Sequence, residues 1–403
     1  MAPTPQPAAT GPQSRPRILF YLPTVTPWWF EEICAHLVRK CAQSHEVHVM
    51  LCPMWRGTGI AEGQFDILAS LPHVHWHVLD GPDHPTLRTD ASTATDLFEL
   101  VEFLAPDITL CRSADLAAPA RFPGEVRFIM EGAAPPLRAR PNATVLTRTL
   151  FDYGLMPDLT DEESAELDRL APQLWDARVF PDPARPRADF LAEHGIPDNR
   201  VLIGLPLEYE QPENFFDRHH RFADNAEMIA SLAAQIPDHA VLAVTHHPLT
   251  ERHGDPGPVE DIVARLGERV RLLPSSAKPG AISRALARHC DAMVVGNSKS
   301  WSAAAAAGKP IVRLSDFATG AWIGAYDSLP AFFADQAGGR VRGPDPAMAR
   351  RWFACHMLNN VFDPTDPALS GDDIVARALQ PVDSARWLPA LDRYKALSLA
   401  EAA

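Results

Sequence analysis

Acidic side chains that could do chemistry stand where two apolar runs of this sequence end. Glu131 follows the run VRFIM, and Glu208 and Glu210 stand at the end of VLIGLPLEYE. Carboxylates in such places suit the work of a general acid, a general base or a nucleophile. Solvated loop acids are the alternative for each of them. We take the three as candidate catalytic residues.

Histidines and serines form a second set of candidates, suited to binding an anion. His246 and His247 end the run HAVLAVTHHP, where Pro248 stops the strand, and a histidine there can donate a hydrogen bond to phosphate. The segment GNSKSWS also follows a strand and opens a helix, whose first N–H groups suit an anion. The candidates in that segment are Asn297, Ser298, Ser300 and Ser302. The alternatives are two surface histidines and a plain N-cap at Ser302.

Spacing argues against several other ligand sites. The glycines of GTGIAEG (57–63) approach a dinucleotide fingerprint but are one residue too far apart and follow the second strand. The sequence GKP (308–310) lacks the other residues of a P-loop, and no D-x-D pair is present to hold a divalent cation on a diphosphate. His73, His75 and His77 alternate along one strand, but no partner is evident, so we expect no metal site.

Alternating strand and helix patterns predict an α/β fold with two parallel sheets of similar size facing across a cleft. The predicted strands of the first half are 17–23, 46–52, 74–80, 107–112 and 126–132. Those of the second half are 201–208, 239–248, 269–276, 291–299 and 310–315. Thr160 and Glu163 predict a capping box at the start of an acidic helix. Ligands in such folds bind beyond the carboxyl ends of the strands, where the candidates stand.

The predicted domains follow from these patterns and from a Pro-rich, charged segment between the two halves. We expect a disordered tail, an N-terminal Rossmann-like domain, a linker, a C-terminal Rossmann-like domain and a helical extension. Their predicted bounds are 1–16, 17–180, 181–200, 201–345 and 346–403.

The composition of the sequence limits which partners the protein can bind and in which cell compartment we expect it. With 37 Lys and Arg against 51 Asp and Glu the net charge is −14, so the surface repels phosphate backbones and a nucleic-acid polymer is an unsuitable partner. The six cysteines form no C-x-x-C and most lie in apolar runs, as structural thiols of a reducing compartment do. We see neither an apolar run near the ~18 residues of a membrane span nor a signal peptide, and we expect a cytoplasmic protein.

The order of the motifs resembles the capsule polysaccharide biosynthesis glycosyltransferases, the KpsC/KpsS-like group that includes bacterial Kdo transferases. The matching segments are Glu-Gly at 131–132, Pro-Leu-Glu-x-Glu at 206–210, His-Pro at 247–248, and Asn-Ser at 297–298 leading to Ala-Ala-Gly-Lys-Pro-Ile-Val. The resemblance covers about 125–315, and the N-terminal third only by architecture. It implies the GT-B fold, with the acceptor on the N-terminal domain and the nucleotide sugar on the C-terminal domain.

The resemblance also implies an activity and residue roles. The activity would be transfer of Kdo or another ulosonic acid from a nucleotide-activated donor, such as a CMP-linked one, to a cell-surface polysaccharide or glycolipid. His247 would contact the donor phosphate together with one of the three serines named above. Glu208 or Glu210 would be the catalytic carboxylate, and Glu131 an acid or base on the acceptor side.

Two departures from the family pattern leave the donor open. Ala303 stands where many such enzymes have a ribose-binding Glu, and Glu208 stands where a Gln is expected. Histidine, hydroxyls and a helix N-terminus can stabilise a departing phosphate without a metal, so we expect no cofactor besides the nucleotide sugar.

The alternatives to a transferase are an epimerase or pyruvyl transferase on the same fold, and a non-catalytic binding protein of capsule assembly. Peripheral association with a membrane-bound biosynthesis complex, at the inner face of the cytoplasmic membrane, is a further expectation drawn from the resemblance.

Overall fold

A computed structural model describes residues 15–68, 71, 73–177, 185–211, 214–275 and 280–400. Residues 1–14 of the predicted tail and 181–184 of the predicted linker lie outside these ranges. Within them, no helix combines the length and the apolar composition that crossing a membrane requires.

Eleven strands form two sheets in the part of the chain that the structure describes. Most are short apolar runs buried on both faces, as strands of parallel sheets are. The strands are β1 Arg17–Leu22, β2 Glu46–Leu51, β3 Val74–Val78, β4 Ile108–Cys111, β5 Glu125–Glu131, β6 Thr144–Thr147, β7 Val201–Pro206, β8 Ala240–Thr245, β9 Val270–Leu272, β10 Ala292–Val295 and β11 Ile311–Arg313. The sequence patterns predicted all of these except β6.

The helices connect the strands and form most of the C-terminal segment. They are α1 Pro27–Trp29, α2 Ala35–Cys41, α3 Glu62–Leu68, α4 Thr95–Leu104, α5 Asp161–Asp176, α6 Arg187–Glu193, α7 Asn225–Gln235, α8 Thr250–His253, α9 Gly257–Leu266, α10 Ala281–His289, α11 Ser300–Ala306, α12 Leu329–Ala337, α13 Pro346–Cys355, α14 Gly371–Leu379 and α15 Trp387–Ala400. The predicted capping box of Thr160 and Glu163 forms at the start of α5.

The strand order is that of Rossmann-type sheets in both cases. It reads β3-β2-β1-β4-β5-β6 in the first sheet and β11-β10-β7-β8-β9 in the second. The first strand in chain order therefore lies inside each sheet, β1 between β2 and β4 and β7 between β8 and β10. The pairs β1–β2, β2–β3 and β1–β4 are parallel, β5–β6 is antiparallel, and the second sheet is parallel throughout. The predicted α/β class with two Rossmann-like sheets and a helical C-terminal segment is confirmed.

The chain divides into two compact units, Met1–Arg127 with Pro364–Leu379 and Phe128–Asp363 with Gln380–Ala403. Strands β1–β4 lie in the first unit and β7–β11 in the second. The C-terminal residues 364–379 belong to the first unit because Lys40 Nζ donates to the carbonyls of Asp366 and Leu369, at 2.7 and 2.8 Å. The sequence-based bounds 17–180, 181–200, 201–345 and 346–403 remain a prediction.

The second sheet is covered on both faces by apolar side chains. Neighbouring residues of β7, Leu202 and Ile203, belong to two different cores, as alternation along a strand requires. The alanine-rich helix α11 packs into one of these cores, where Trp301 lies against Tyr153 and Trp352 with ring centroids 5.2 and 4.8 Å away. This packing holds the loops at the carboxyl ends of the strands in place.

Candidate active site

The carboxyl ends of β7 and β10 lie side by side in the middle of the second sheet. From these two strands the sheet continues in opposite directions, through β8 and β9 on one side and β11 on the other. Such a switch point is where open α/β sheets bind their ligands. Glu208 follows β7 there, and Gly296 and Asn297 follow β10.

Glu208 is the centre of this site and is 7% exposed. Its Oε1 accepts the backbone N–H of Asn297, and its Oε2 lies 2.8 Å from His220 Nε2. Its own backbone N–H and carbonyl bond to the side chain of Asn225 at 3.2 and 3.0 Å. Because both carboxylate oxygens are engaged, Glu208 is built to position its neighbours.

His220 is a site residue that the sequence patterns did not single out. Burial opposes its protonation, but the hydrogen bond and charge of Glu208, with Asp217 and Glu210, raise its pKa above the ordinary value. A carboxylate that orients an imidazole is the pairing that many enzymes use to hold a general base. Only its contact with Glu208 in the folded protein reveals it.

His247 is a neutral hydrogen-bond donor. Its Nδ1 accepts the N–H of Leu249 at 3.2 Å, which leaves the ring proton on Nε2. Burial lowers its pKa to about 4, against the opposing charge of Glu208. The ring lies 5.3 Å from that of Tyr209, and Pro248 begins the turn that brings Leu249 back. At neutral pH, His247 therefore offers Nε2–H without a charge.

His246 has a different environment from its neighbour. Both of its ring nitrogens are buried, and neither has a hydrogen-bond partner among the residues that the structure describes. Buried polar atoms without a partner are rare in folded proteins. His246 is therefore a second histidine at the end of β8 that a ligand could satisfy.

The seryl turn 298–302 differs from the expectation of free donors. The N–H groups of Ser300, Trp301 and Ser302 already bond to Ser298 Oγ, Ser298 O and Lys299 O, at 3.3, 3.4 and 3.1 Å. Ser302 is 1% exposed, and its hydroxyl lies within hydrogen-bond distance of the carbonyls of Pro135, at 2.7 Å, and Lys299, at 3.0 Å. Ser298 Oγ also donates to Ser300 Oγ at 3.2 Å, so the hydroxyl proton of Ser300, a partly exposed residue, is the one left for a ligand.

Asn297 forms hydrogen bonds to three other segments of the protein. Its Nδ2 donates to the carbonyl of His219 at 2.9 Å, its Oδ1 accepts from Ser315 Oγ at 2.6 Å, and its carbonyl accepts from Tyr153 OH. All of these polar atoms are engaged, so Asn297 holds loops together where ligand binding was expected.

Arg313 is a buried cation that the sequence did not flag. It is 6% exposed and lies over the ring of Tyr153, 4.2 Å from the centroid. Burial lowers its pKa to about 10, while Tyr153, Asp152 and Glu208 oppose that change. It stays charged at neutral pH and offsets the buried charge of Glu208.

The three predicted catalytic carboxylates have three different environments. Glu210 accepts the N–H of Asn225 at the start of α7, and burial raises its pKa. Glu208 is buried as described. Glu131, at the end of β5, has a half-exposed side chain that forms an ion pair with Lys299 beside the seryl turn. Glu131 is thus the most exposed of the three.

Gly296 leaves the room that the Glu208 carboxylate occupies, because a Cβ there would collide with Glu208 Oε1. In a Gly296→Ala variant the carboxylate has to leave its partners, and we expect the free energy of unfolding to fall by about 2 kcal/mol. Urea denaturation measures it, with Gly63→Ala as control because a Cβ at Gly63 meets nothing within 4 Å. In the Glu208→Ala background the same change should cost much less. Additive losses would contradict this account.

The comparisons with known proteins give structural neighbours only. No family model matches the sequence, and no curated protein matches it significantly. One similar solved structure is the KpsC beta Kdo 2,7 transferase of Thermosulfurimonas dismutans, with a TM-score of 0.44 and 12% identity over 82% of this chain and 98% of that one.

Two further neighbours have other activities. The ADP-heptose lps heptosyltransferase II of E. coli has a TM-score of 0.27 and 13% identity, over 96% of this chain and 100% of that one. The UDP-GlcNAc 2-epimerase of Neisseria meningitidis has a TM-score of 0.30 and 14% identity, over 90% of this chain and 99% of that one. At such values the function has to be inferred from the side chains of this chain.

Proposed function

We propose that this chain is a glycosyltransferase of the GT-B type, which moves a sugar from a nucleotide-activated donor to a glycan acceptor. The observation that carries the proposal is the set of hydrogen-bond donors at the switch point of the second sheet. His247 Nε2–H follows β8, and the Ser300 hydroxyl, which accepts from Ser298 Oγ, follows β10. These two strands flank β7, after which Glu208 stands. The two donors suit a phosphate in a chain whose net charge is otherwise −14.

In the proposed reaction the bond from the anomeric carbon to the donor phosphate breaks through an oxocarbenium-like state. The departing phosphate gains negative charge, and the His247 N–H and the Ser300 hydroxyl donate hydrogen bonds to it. Because its pKa is about 4, His247 stabilises this charge as a neutral donor and does not serve as a ready-protonated acid at neutral pH. Metal independence is part of the proposal.

Glu131 is the proposed base that takes the proton of the acceptor hydroxyl. It is the most exposed of the three carboxylates, and Lys299 pairs with its ionised form. Glu208 keeps a positioning role, since it holds the Asn297 loop and His220.

For the finer identity we propose Kdo or another ulosonic acid as the sugar and CMP as the nucleotide of the donor. A cell-surface polysaccharide or glycolipid would be the acceptor, reached at the inner face of the cytoplasmic membrane. These points rest on the motif order at 131–132, 206–210, 247–248 and 297–298.

The test is nucleotide release by the purified chain, with CMP-, UDP-, GDP- and ADP-activated sugars, in the presence and absence of capsular oligosaccharides and lipid-linked glycans. Release that depends on an acceptor is the expected result. A changed sugar nucleotide without acceptor would instead identify an epimerase. If no nucleotide or nucleotide sugar raises the melting temperature, the chain is not a donor-binding protein.

Replacing His247 with alanine should weaken donor binding, because a hydrogen bond to a charged phosphate is lost. At about 2 kcal/mol for such a bond, the donor Kd should rise about 30-fold. With a pKa near 4, the wild-type contribution of His247 should be constant from pH 6 to 8. Isothermal titration measures both.

His239→Ala is the matched control for His247→Ala. His239 is exposed and precedes β8 at its amino end, whereas His247 follows the carboxyl end. An equal effect of the two replacements, or none at His247, would show that the phosphate does not bind here.

A further inference from the structure

A cluster of histidines lies in the first unit, on the strands β2 and β3. These strands pair in parallel with His48 opposite His75 and Met50 opposite His77. Side chains two residues apart share a face of a strand, so Glu46 and His48 of β2 face the same side as His75 and His77 of β3. The sequence showed the alternating histidines of β3, but the partner strand is visible only in the folded sheet.

The polar atoms of the cluster are close enough to share an ion. His48 Nε2 lies 2.9 Å from Glu46 Oε1, and one ligand atom from each of Glu46, His48 and His75 lies within 4.8 Å of the other two. The rings of His48 and His75 stack with centroids 4.8 Å apart. Ligand atoms around a tetrahedral zinc ion are about 3.4 Å apart, since each lies about 2.1 Å from the metal. The three ligand atoms would have to turn towards one another to reach that spacing.

We propose that Glu46, His48 and His75 bind one divalent transition-metal ion of the zinc class. Imidazole nitrogens and a carboxylate are ligands that zinc takes in proteins, with a solvent molecule completing the coordination. The ion would join β3 to β2, and since β3 is the last strand of its sheet, the site would stabilise a sheet edge.

His77 is the proposed positioning residue of this site. Its Nε2 lies 3.0 Å from His48 Nδ1. When His48 carries its proton on Nδ1 and donates it to His77, the lone pair of Nε2 is left for the metal. Metal-binding histidines almost always have such a second hydrogen bond, which fixes the ring and its tautomer.

Exposure and a neighbouring cation bear on metal binding at this cluster. His48 is 6% exposed, whereas Glu46 and His75 are exposed, so an ion can reach them from solvent. Arg17 Nε, 2.9 Å from Glu46 Oε1, is the competing cation.

The experiment is a titration of the full chain with Zn²⁺ at pH 7.5 against a chromogenic chelator, and with Co²⁺ followed by absorption. We expect one equivalent to bind, a higher melting temperature with Zn²⁺, and Co²⁺ d–d bands without a thiolate charge-transfer band. His75→Ala, at an exposed position, should weaken zinc binding at least about 100-fold, and His77→Ala about 10-fold, with partial recovery in His77→Gln.

His73→Ala is the matched control, because His73 is an exposed histidine that precedes β3. It should leave the zinc affinity unchanged. The proposal would be overturned if zinc did not bind one-to-one, or if His75→Ala bound zinc as tightly as the wild type. A thiolate band, which would place the ion on cysteine, would also overturn it.

Discussion

Replacing Glu208 with alanine is expected to lower the free energy of unfolding by about 3 kcal/mol or more, because it removes one partner of a buried ion pair. The Asn297 N–H and the His220 imidazole both lose their acceptor, and the buried cation Arg313 loses an opposing charge. The proposed transfer activity should fall with it, since the loops that carry Ser298 and His220 are joined through this carboxylate. Urea denaturation and nucleotide release measure the two effects.

The pH dependence of this loss has a definite sign. Glu208 raises the pKa of His220 in the folded chain above the unfolded value near 6.5. The stability from that pairing is therefore fully present below pH 6.5 and is lost as the pH rises through the raised pKa. The difference in the free energy of unfolding between wild type and Glu208→Ala should therefore be smaller at pH 9 than at pH 6. The share of that difference that comes from the hydrogen bond of the Asn297 N–H should remain at pH 9.

Two further variants separate charge from shape at this position. Glu208→Gln keeps an oxygen for the Asn297 N–H but removes the charge, so we expect an intermediate loss of stability and a lower pKa of His220 by NMR. Glu268→Ala is the control: its side chain is 82% exposed and its nearest cation, Arg200, lies 4.0 Å away, so the change should stay within about 0.5 kcal/mol. If Glu208→Ala had the same free energy of unfolding as the wild type at pH 6, the central role of this residue would be contradicted.

Acid should destabilise the chain strongly between pH 6.5 and 4, because three buried or partly buried histidines resist protonation. Burial lowers the pKa of His247, His289 and His356 to about 4 in each case. Below pH 6.5 the unfolded chain takes up these protons and the folded chain does not, so stability is lost as the pH falls towards 4. The loss is up to about 3 kcal/mol for each histidine, at about 1.4 kcal/mol per pKa unit.

His356→Gln isolates one of these protons. His356 Nε2 lies 2.9 Å from the carbonyl of Gly132 and the ring stacks on Trp352, so glutamine keeps a donor while removing the titration. The slope of the unfolding free energy against pH should fall by up to about 1.4 kcal/mol per pH unit between pH 4.5 and 6.

The exposed His239 provides the control for this slope, and His239→Gln should leave it as in wild type. Urea denaturation at half-unit pH steps gives the slopes. An unchanged slope in His356→Gln would mean that this histidine takes up its proton in the folded chain.

Features that depend on neighbouring residues were readable from the sequence. The capping box of Thr160 and Glu163 needs residues only three apart, and the strands β1, β7 and β10 are continuous apolar runs. The placement of Glu208 and His247 just after strands followed from the same patterns. The short strand β6 was missed because its four residues carry little pattern of their own and are held by pairing with β5.

Which of those residues meet, and what each does, depended on contacts that the order of residues does not reveal. Glu208 lies between Asn297 and His220 because strand β10 enters the sheet beside β7. Arg313 stands on β11, which pairs with β10, and Tyr153, from the segment after β6, donates to the carbonyl of Asn297. Likewise β3 acquires Glu46 and His48 as neighbours only by pairing with β2. Residue type and local spacing determine which side chains can do chemistry and on which elements they stand. Burial, pKa and hydrogen-bond partners arise from atoms far apart in the chain, so only the folded protein determines them.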